Sequence, residues 1–466
     1  MLVGGFLVCG ILALLADDRG ANLATLGAIL LFGMTVTELR HTPAPPTGTP
    51  GEYEIIVRER LSEREGKTAS GTTIRARRNS ATGEWLPAAG NLVVRCDSST
   101  ALNPGDRAVV RGKIYPFTAR HGGYGRLMTR RGYVGTLYLN RSSLLLRDTL
   151  HRELSPKHLS LFLHERAVAR LDRLALAPDE QALCNAMTAG DRRSLSPALR
   201  AAYSRSGTSH LLAVSGLHVG IVFLLANLLL WWLPLFRHGH ILRNIAVILL
   251  IWLYAATTGF PPSVVRAALM FSVLQFALAS SSEYVGMNTL AGVAFVMLLF
   301  HPDYLFDISF QLSFIAVAGI IAWGLPLCRL LRTRRKSIDM LTATLAIGFS
   351  ASAATAPLIS HTFGQISVVG LALNPVVILL SYVVVGSCTL WLVIPGTVLA
   401  PLFSDVAGFA ARAQNELIRA AAALPAAALD IRLTTTQCWI VYGLFIFATL
   451  LLWSAERKKS VSSLPE

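Results

Sequence analysis

The chain has 466 residues, 53% of them hydrophobic and 15% charged, with a mean hydropathy of +0.52. Composition excludes a soluble protein of this length, and the number of apolar runs near the roughly 20 residues that cross a bilayer as helix excludes a single-anchor protein. A transmembrane β-barrel would need short alternating segments, which are absent. The formal charge of +15, from 42 Lys and Arg against 27 Asp and Glu, lies mostly outside the apolar runs, so it either anchors cytoplasmic loops or faces a polyanion.

In chain order, residues 1–40 carry two apolar runs around the polar turn Asp17 to Asn22 and predict a transmembrane hairpin. No basic n-region precedes the first run, which argues against a cleaved signal peptide. The Pro- and Thr-rich linker His41 to Pro50 breaks the pattern. From 45 to 150, alternation in YEIIV, NLVVRC, DRAVVRGKIY and GTLYL, separated by turn signals such as ATGEW and NPGD, predicts a small all-β barrel of the OB type. Residues 49–150 hold 17 Lys and Arg against 9 Asp and Glu, with Tyr115, Phe117, Tyr124, Tyr133 and Tyr138 interleaved. A basic groove with aromatic platforms holds single strands, so Arg75, Arg77, Arg78, Arg111, Lys113, Arg120, Arg126, Arg130 and Arg131 are candidate DNA contacts. The aromatics serve equally well as barrel core.

Residues 151–206 form two segments with bases on their polar faces, read as amphipathic interfacial helices. The second contains Gly190-Asp191-Arg192. A domain of transmembrane helices follows over 207–456, then a short polar tail, 457–466. Its apolar spans run near 209–235, 241–258, 263–281, 288–300, 307–330, 338–360, 366–394 and 436–453, with an Ala-rich amphipathic stretch between 401 and 428. Asn374-Pro375 interrupts one of them and suggests a broken helix that frees carbonyls into a cavity. The fold class is therefore a polytopic α-helical membrane protein of about 8–10 spans, with interfacial helices and a small OB-like β domain. The loops RHGHILR (237–243) and RTRRK (332–336) belong in the cytoplasm by the positive-inside rule, which places the β domain outside it.

The stretch Gly207 to Ile221, GTSHLLAVSGLHVGI, opens a hydrophobic segment with polar groups that hydrocarbon does not admit. On a helix Ser215 and His218 share a face, and Gly216 and Gly220 form a small-xxx-small pair that lets another helix approach. His210, Ser215 and His218 would line a passage, or else merely bond carbonyls and lock neighbouring helices. Further polar candidates are Arg266, which meets a phosphate or snorkels to the interface, and Gln311, Ser313, His361, Gln365 and Asn374. Neutral donors suit transport, because a pore lined with bases traps a polyanion.

The runs AMTAGDRRSLSPALRAAYSRSGTSHLLAVSGLHVGI, TTGFPPSVVRAALM, HPDYLFDISFQLSFIAVAGI and ATAPLISHTFGQISVVGLALNP, in this order, resemble the competence domain of the ComEC family of DNA-uptake channels. The segment PFTARHGGYGRLMTRRGYVGTLYL is similar to that family's N-terminal OB-like domain. The resemblance implies a cytoplasmic-membrane protein that passes one strand of incoming DNA inward during natural transformation. It also implies a cytosolic helicase-like ATPase motor, an outer DNA receptor and a separate nuclease in trans; homo-oligomerisation stays open. Many members carry a C-terminal metallo-β-lactamase-like domain with an HxHxDH motif, which this sequence lacks. His238-Gly239-His240 is half such a motif with no acidic ligand nearby, and Gly66-Lys67-Thr68 lacks the earlier P-loop glycine, position 61 being Leu61. No metal, cofactor or catalytic residue is expected.

Cys9, Cys96, Cys184, Cys328, Cys388 and Cys438 show no metal spacing and read as packing residues, with a Cys96–Cys184 disulfide left open. Two rival functions remain. An intramembrane serine protease would use Ser215 as nucleophile and a histidine such as His361 as base. A small-solute or lipid transporter would use polar groups in broken helices. Neither needs a basic outer domain.

Overall fold

The structure, a computed structural model, describes residues 48–449 apart from 49, 65–66, 80–81, 98–99, 101, 104, 118–124, 126–127, 130–131, 149–155, 281–285, 334, 368, 395–398, 425–426, 446 and 448. The expected hairpin at 1–40, the tail at 457–466 and Arg120, Arg126, Arg130 and Arg131 lie outside the described residues. The chain divides into two compact units, Met1–Phe162 with Phe295–Phe306, and Leu163–Ala294 with Asp307–Glu466.

In the first unit the alternating segments fold into β1 (Pro50–Arg64), β2 (Lys67–Arg78), β3 (Trp85–Asp97), β4 (Arg107–Pro116), β5 (Tyr133–Leu139) and β6 (Leu144–Asp148). Strand order is β1-β2-β3-β5-β4-β6 with β1 also paired to β4, so five strands close a barrel and β6 extends it. All pairs are antiparallel except β3–β5. This is the five-stranded, OB-like barrel. Closure depends on β1, which pairs with β2 from Tyr53 onward and with β4 from Pro50 to Ile56. Three register shifts along the β1–β2 ladder bend the strand enough to do both. At the β4–β5 seam a Cβ on Gly135 would collide with the Tyr115 carbonyl, so only glycine permits that approach. The inward face buries Tyr53, Ile55, Val57, Ile74, Leu92, Val94, Val110, Ile114, Leu137 and Leu139. Buried Asp106 accepts from the Asn103 amide at 3.1 Å and from Arg147 at 2.7 Å, tying β6 to the loop before β4.

The second unit is helical. Its elements are the later part of α1 (Pro156–Leu171), α2 (Pro178–Thr188), α3 (Pro197–Arg205), α4 (Gly216–Leu229), α5 (Gly239–Thr257), α6 (Pro262–Ser280) and the start of α7 (Gly286–Phe300). Then α8 (Ile308–Gly319) passes through a π turn, Ile320–Gly324, into α9 (Leu325–Leu330), followed by α10 (Lys336–Phe363), α11 (Val369–Val393) and α12 (Ala400–Ala422). A two-residue ribbon pairs β7 (Ile366–Ser367) with β8 (Ala428–Leu429). Among the described residues, five helical stretches are long and apolar enough to cross a bilayer: Gly216–Leu235, Gly239–Thr257, Ile308–Leu330, Ile338–Phe363 and Ala372–Val393. Pro262–Leu278 and Gly286–Phe300 are shorter apolar helices, and residues 435–445 are also helical. The protein is a membrane protein.

Two apolar clusters hold this unit. One joins the end of α1, α2, α3, α11 and α12 around Leu171, Leu183, Tyr203, Val384 and Ile418; the other joins α4, α5 and α6 around Val219, Ile251 and Ala268. Gly319 of α8 and Ala354 of α10 are so close that a Cβ on the glycine would strike the alanine, the close small-residue contact that membrane helices favour.

Three sequence expectations change. First, the segment Asp179 to Arg205 does not lie along a surface throughout, since α2 is buried from Ala182 to Thr188 against α11 and α12. Its buried Glu180 is matched by Arg412 of α12 at 2.7 Å, a partner 232 residues away that local amphipathicity could not reveal. Second, α11 is not broken at Asn374-Pro375. Proline removes one donor but not the helix, and Leu373 and Val377 on either side are held in the core. Third, the central segment is not helical from 209: Ser209–Leu212 is a 3-10 turn, and the α-helix starts at Gly216.

Candidate functional site

The polar groups of the central stretch are organised by the start of α4. Ser215 has extended backbone angles and is the N-cap, with His218 at the third helical position. The Ser215 N–H donates to His218 Nδ1 at 2.9 Å, while the Ser215 side chain accepts from the His218 backbone, which makes a reciprocal capping box with histidine in place of the usual Glu or Gln. This explains the three-residue spacing. Because Nδ1 accepts, the ring hydrogen sits on Nε2, and that atom is buried with no partner. The Ser215 hydroxyl lies 3.3 Å from the same Nδ1, which the amide already occupies, so the pair is arranged as a cap and not as nucleophile and base.

Gly216 and Gly220 face α6. A Cβ on Gly216 would lie 3.1 Å from Arg266 Nη2 and 3.6 Å from the Ala267 Cβ, and one on Gly220 would lie 3.3 Å from the Phe271 ring. Phe271 stacks on Phe223 with centroids 4.8 Å apart, closing the same contact. Arg266 does not snorkel. It is 6% exposed, with Nη1 3.8 Å from Met270 Sδ, its guanidinium 5.8 Å from the Phe314 ring centre of α8, and Nε without a partner. Ser215, Gly216, His218, Gly220 and Arg266 are thus brought together at the α4–α6 contact.

The other candidates are placed elsewhere. His210 is exposed in the 3-10 turn, and Gln311 and Ser313 are half-buried on α8. His361 Nδ1 pairs with the Leu433 carbonyl at 3.0 Å, beside Ser360, whose hydroxyl donates to the Ile431 carbonyl at 2.6 Å; these bonds fasten the end of α10 to the chain after β8. Gln365 is exposed, and Asn374 is half-buried with Oδ1 unpartnered. The sequence reading missed the pair in which Gln275 Nε2 of α6 donates to Asn244 Oδ1 of α5 at 2.6 Å. Its only signal was an amide in each of two apolar runs. An open cleft of about 430 Å³ at the start of α2 is lined by Asp179, Glu180, Arg412 and Arg419, but its acids and arginines pair with one another.

On the barrel, Arg78 and Arg111 both pair with Glu52, Arg78 at 3.1 Å, and the Glu52 carboxyl is held below the usual range first by Arg111 and then by Arg78. Arg77 is half-buried and Arg75 exposed. A different cluster presents aromatic faces to solvent. Tyr115 and Tyr138 are 47% and 52% exposed, meet edge to face with centroids 5.8 Å apart, and Lys113 sits 5.7 Å over the Tyr115 ring. Arg95 is in register with Tyr138, so base, ring and base follow one another across β3, β5 and β4. Tyr133, by contrast, is core. Neither Cys96 nor Cys184 is joined in a disulfide.

A family model described as Competence protein matches residues 187–458, more than half of the chain. Among curated proteins, ComE operon protein 3 of Bacillus subtilis (strain 168) is 32% identical over 204 residues, 43% of this chain and 24% of that protein. An uncharacterized protein of Aquifex aeolicus (strain VF5) is 29% identical over 201 residues, 43% of this chain and 45% of that protein. The chain thus spans less than half the length of either relative. No solved structure matches. The matched segment begins inside α2 and takes in the capped start of α4, Arg266, α8 and the α10–α11 turn, and with the OB-like barrel it makes this chain a member of the ComEC-type Competence protein family.

Proposed function

We propose that the protein carries single-stranded DNA across the bacterial cytoplasmic membrane during natural transformation, and that its barrel, outside the cytoplasm, meets the strand first. The observation that carries this reading is the exposed wall Arg95, Tyr138, Lys113 and Tyr115 on the barrel of a competence-family membrane protein: rings stack on any base while cations meet the phosphates. The basic loops at 237–243 and 332–336 support the orientation. The helical unit supplies the route, with neutral groups such as Gln311 and Ser313 as donors that let a polyanion go. Transport needs a motor, a receptor and a nuclease for the other strand, all separate partners in this reading.

Deleting the protein should abolish transformation while DNA binding at the cell surface persists. Normal transformation without it would remove the proposal. At the level of the wall, replacing Tyr115 and Tyr138 together by alanine should weaken binding of an oligothymidylate to the purified chain by about 10-fold or more, since each stacked base is worth roughly 1–3 kcal/mol. Unchanged affinity would move the strand to another surface. The protease reading finds no support in its own pair, since Ser215 caps α4 while His361, its base, is bonded through Nδ1 to the Leu433 carbonyl, and the solute-transporter reading leaves the wall without a use.

A further inference from the structure

Arg266 is a cation buried in the interior of the helical unit. Among the described residues no carboxylate is paired with it, and its neighbours are a thioether, an aromatic face and the Gly216 backbone. Taking a guanidinium out of water without a counter-charge is costly, and a sulfur and a ring do not return that cost. Its surroundings make the imbalance worse. The group lies against the first residue of α4, a 14-residue helix whose N-terminus carries roughly half a positive charge. The capping box occupies the Ser215 and His218 amides, and the Gly216 and Leu217 N–H groups are the remaining donors that the first turn of a helix cannot satisfy from within. The positive end of a helix and a buried guanidinium with an unpartnered Nε thus meet at Gly216, where no carboxylate among the described residues is paired with the guanidinium.

We propose that the Gly216 and Leu217 amides together with Arg266 form a seat for a single phosphodiester group of the strand in transit. The inference rests on the uptake reading above. Glycine at 216 leaves the seat its room, because a side chain there would begin 3.1 Å from the guanidinium and crowd it. A lone seat among neutral donors holds one phosphate briefly without trapping the chain, as a row of bases would. A lipid headgroup offers the same phosphate chemistry, and the test separates the two sources.

The full chain is purified in a maltoside detergent, which contains no phosphate, and its thermal unfolding midpoint is followed as inorganic phosphate replaces chloride at constant ionic strength. Wild type should show a saturable rise. Arg266→Gln should weaken the apparent phosphate affinity about 10- to 100-fold, the worth of a charge-assisted bond, and Arg266→Lys should recover part of it. Gly216→Ala keeps helix and charge while crowding the guanidinium, so it tests the seat even if Arg266→Gln does not fold, and should also weaken phosphate. Oligothymidylate should cancel the phosphate increment, whereas short-chain phosphatidylglycerol should not. No increment in wild type, or one untouched by Gly216→Ala and Arg266→Lys, would overturn the seat, and cancellation by the lipid alone would overturn the strand as its ligand. Transformation after deletion is scored in cells independently, so the seat and the uptake reading can fail separately.

Discussion

Ser215 is a residue whose hydroxyl, on this geometry, caps a helix. Ser215→Ala should therefore cost about 1 kcal/mol of stability and leave DNA uptake largely intact at matched membrane levels, as the loss of a cap does. Gly216→Leu and Gly220→Leu should be severe, because the added side chains would enter Arg266 and Phe271. Complete loss in Ser215→Ala with near-normal uptake in Gly216→Leu would restore the nucleophile. The spacing Ser-x-x-His was visible in the sequence, and so was the glycine pair. Their common cause was not, because apolar residues run unbroken through Leu211, Leu212 and Val214 and hide the point where the helix starts. Histidine at the third position also lacks the Glu or Gln by which a capping box is usually recognised.

At the scale of elements, the barrel was legible and the helices beside the core less so. Strand alternation has period two and is local, so YEIIV and NLVVRC declared their inward faces directly. Of the bases expected there, Lys113 stands in the wall with Tyr115 and Tyr138, whereas Arg78 and Arg111 are drawn to Glu52, which happens only when β1 lies between β2 and β4, a pairing that composition does not contain. The same pairing sets a pH response. Glu52 titrates below its ordinary range in the folded state, so its contribution is present above the unfolded carboxylate value and is lost as pH falls through the folded one. The segment 45–150 should lose stability below about pH 4.3, and Glu52→Gln should flatten that part of the curve. Circular dichroism melts across pH 2–6, roughly the carboxylate range, will show whether the two curves differ. The burial of helix α2 was not legible because PDEQALCNAMT looks amphipathic alone, whereas in the fold it shares one apolar cluster with α11 and α12.

For the whole molecule, charge is the property most directly read from sequence. The +15 total and the surplus of bases over acids in residues 49–150 survive folding, although some of those bases are taken up by Glu52, Glu54 and Asp106. Binding of single strands to the purified chain should weaken linearly in logarithmic salt, with a slope of about −0.7 for each phosphate neutralised. Affinity independent of salt would separate the charge from the function.

The β7–β8 ribbon has a consequence for how the molecule is made. Gly207 lies so close to Ser367 that a Cβ there would collide with it, Ser367 in turn donates to the Ala427 carbonyl at 3.1 Å, and Glu180 waits for Arg412. A ribosome delivers the capped start of α4 to the membrane long before any of these partners has been synthesised. Glu180 and Tyr203 take partners, Arg412 and Asn415, that lie in the last third of the chain, so the interior is expected to close only after that third arrives. A chain stopped at residue 398 should insert its early spans, expose Cys184 to a maleimide that the finished protein excludes, and be degraded. Equal protection of Cys184 in both would mean that the early helices assemble without waiting.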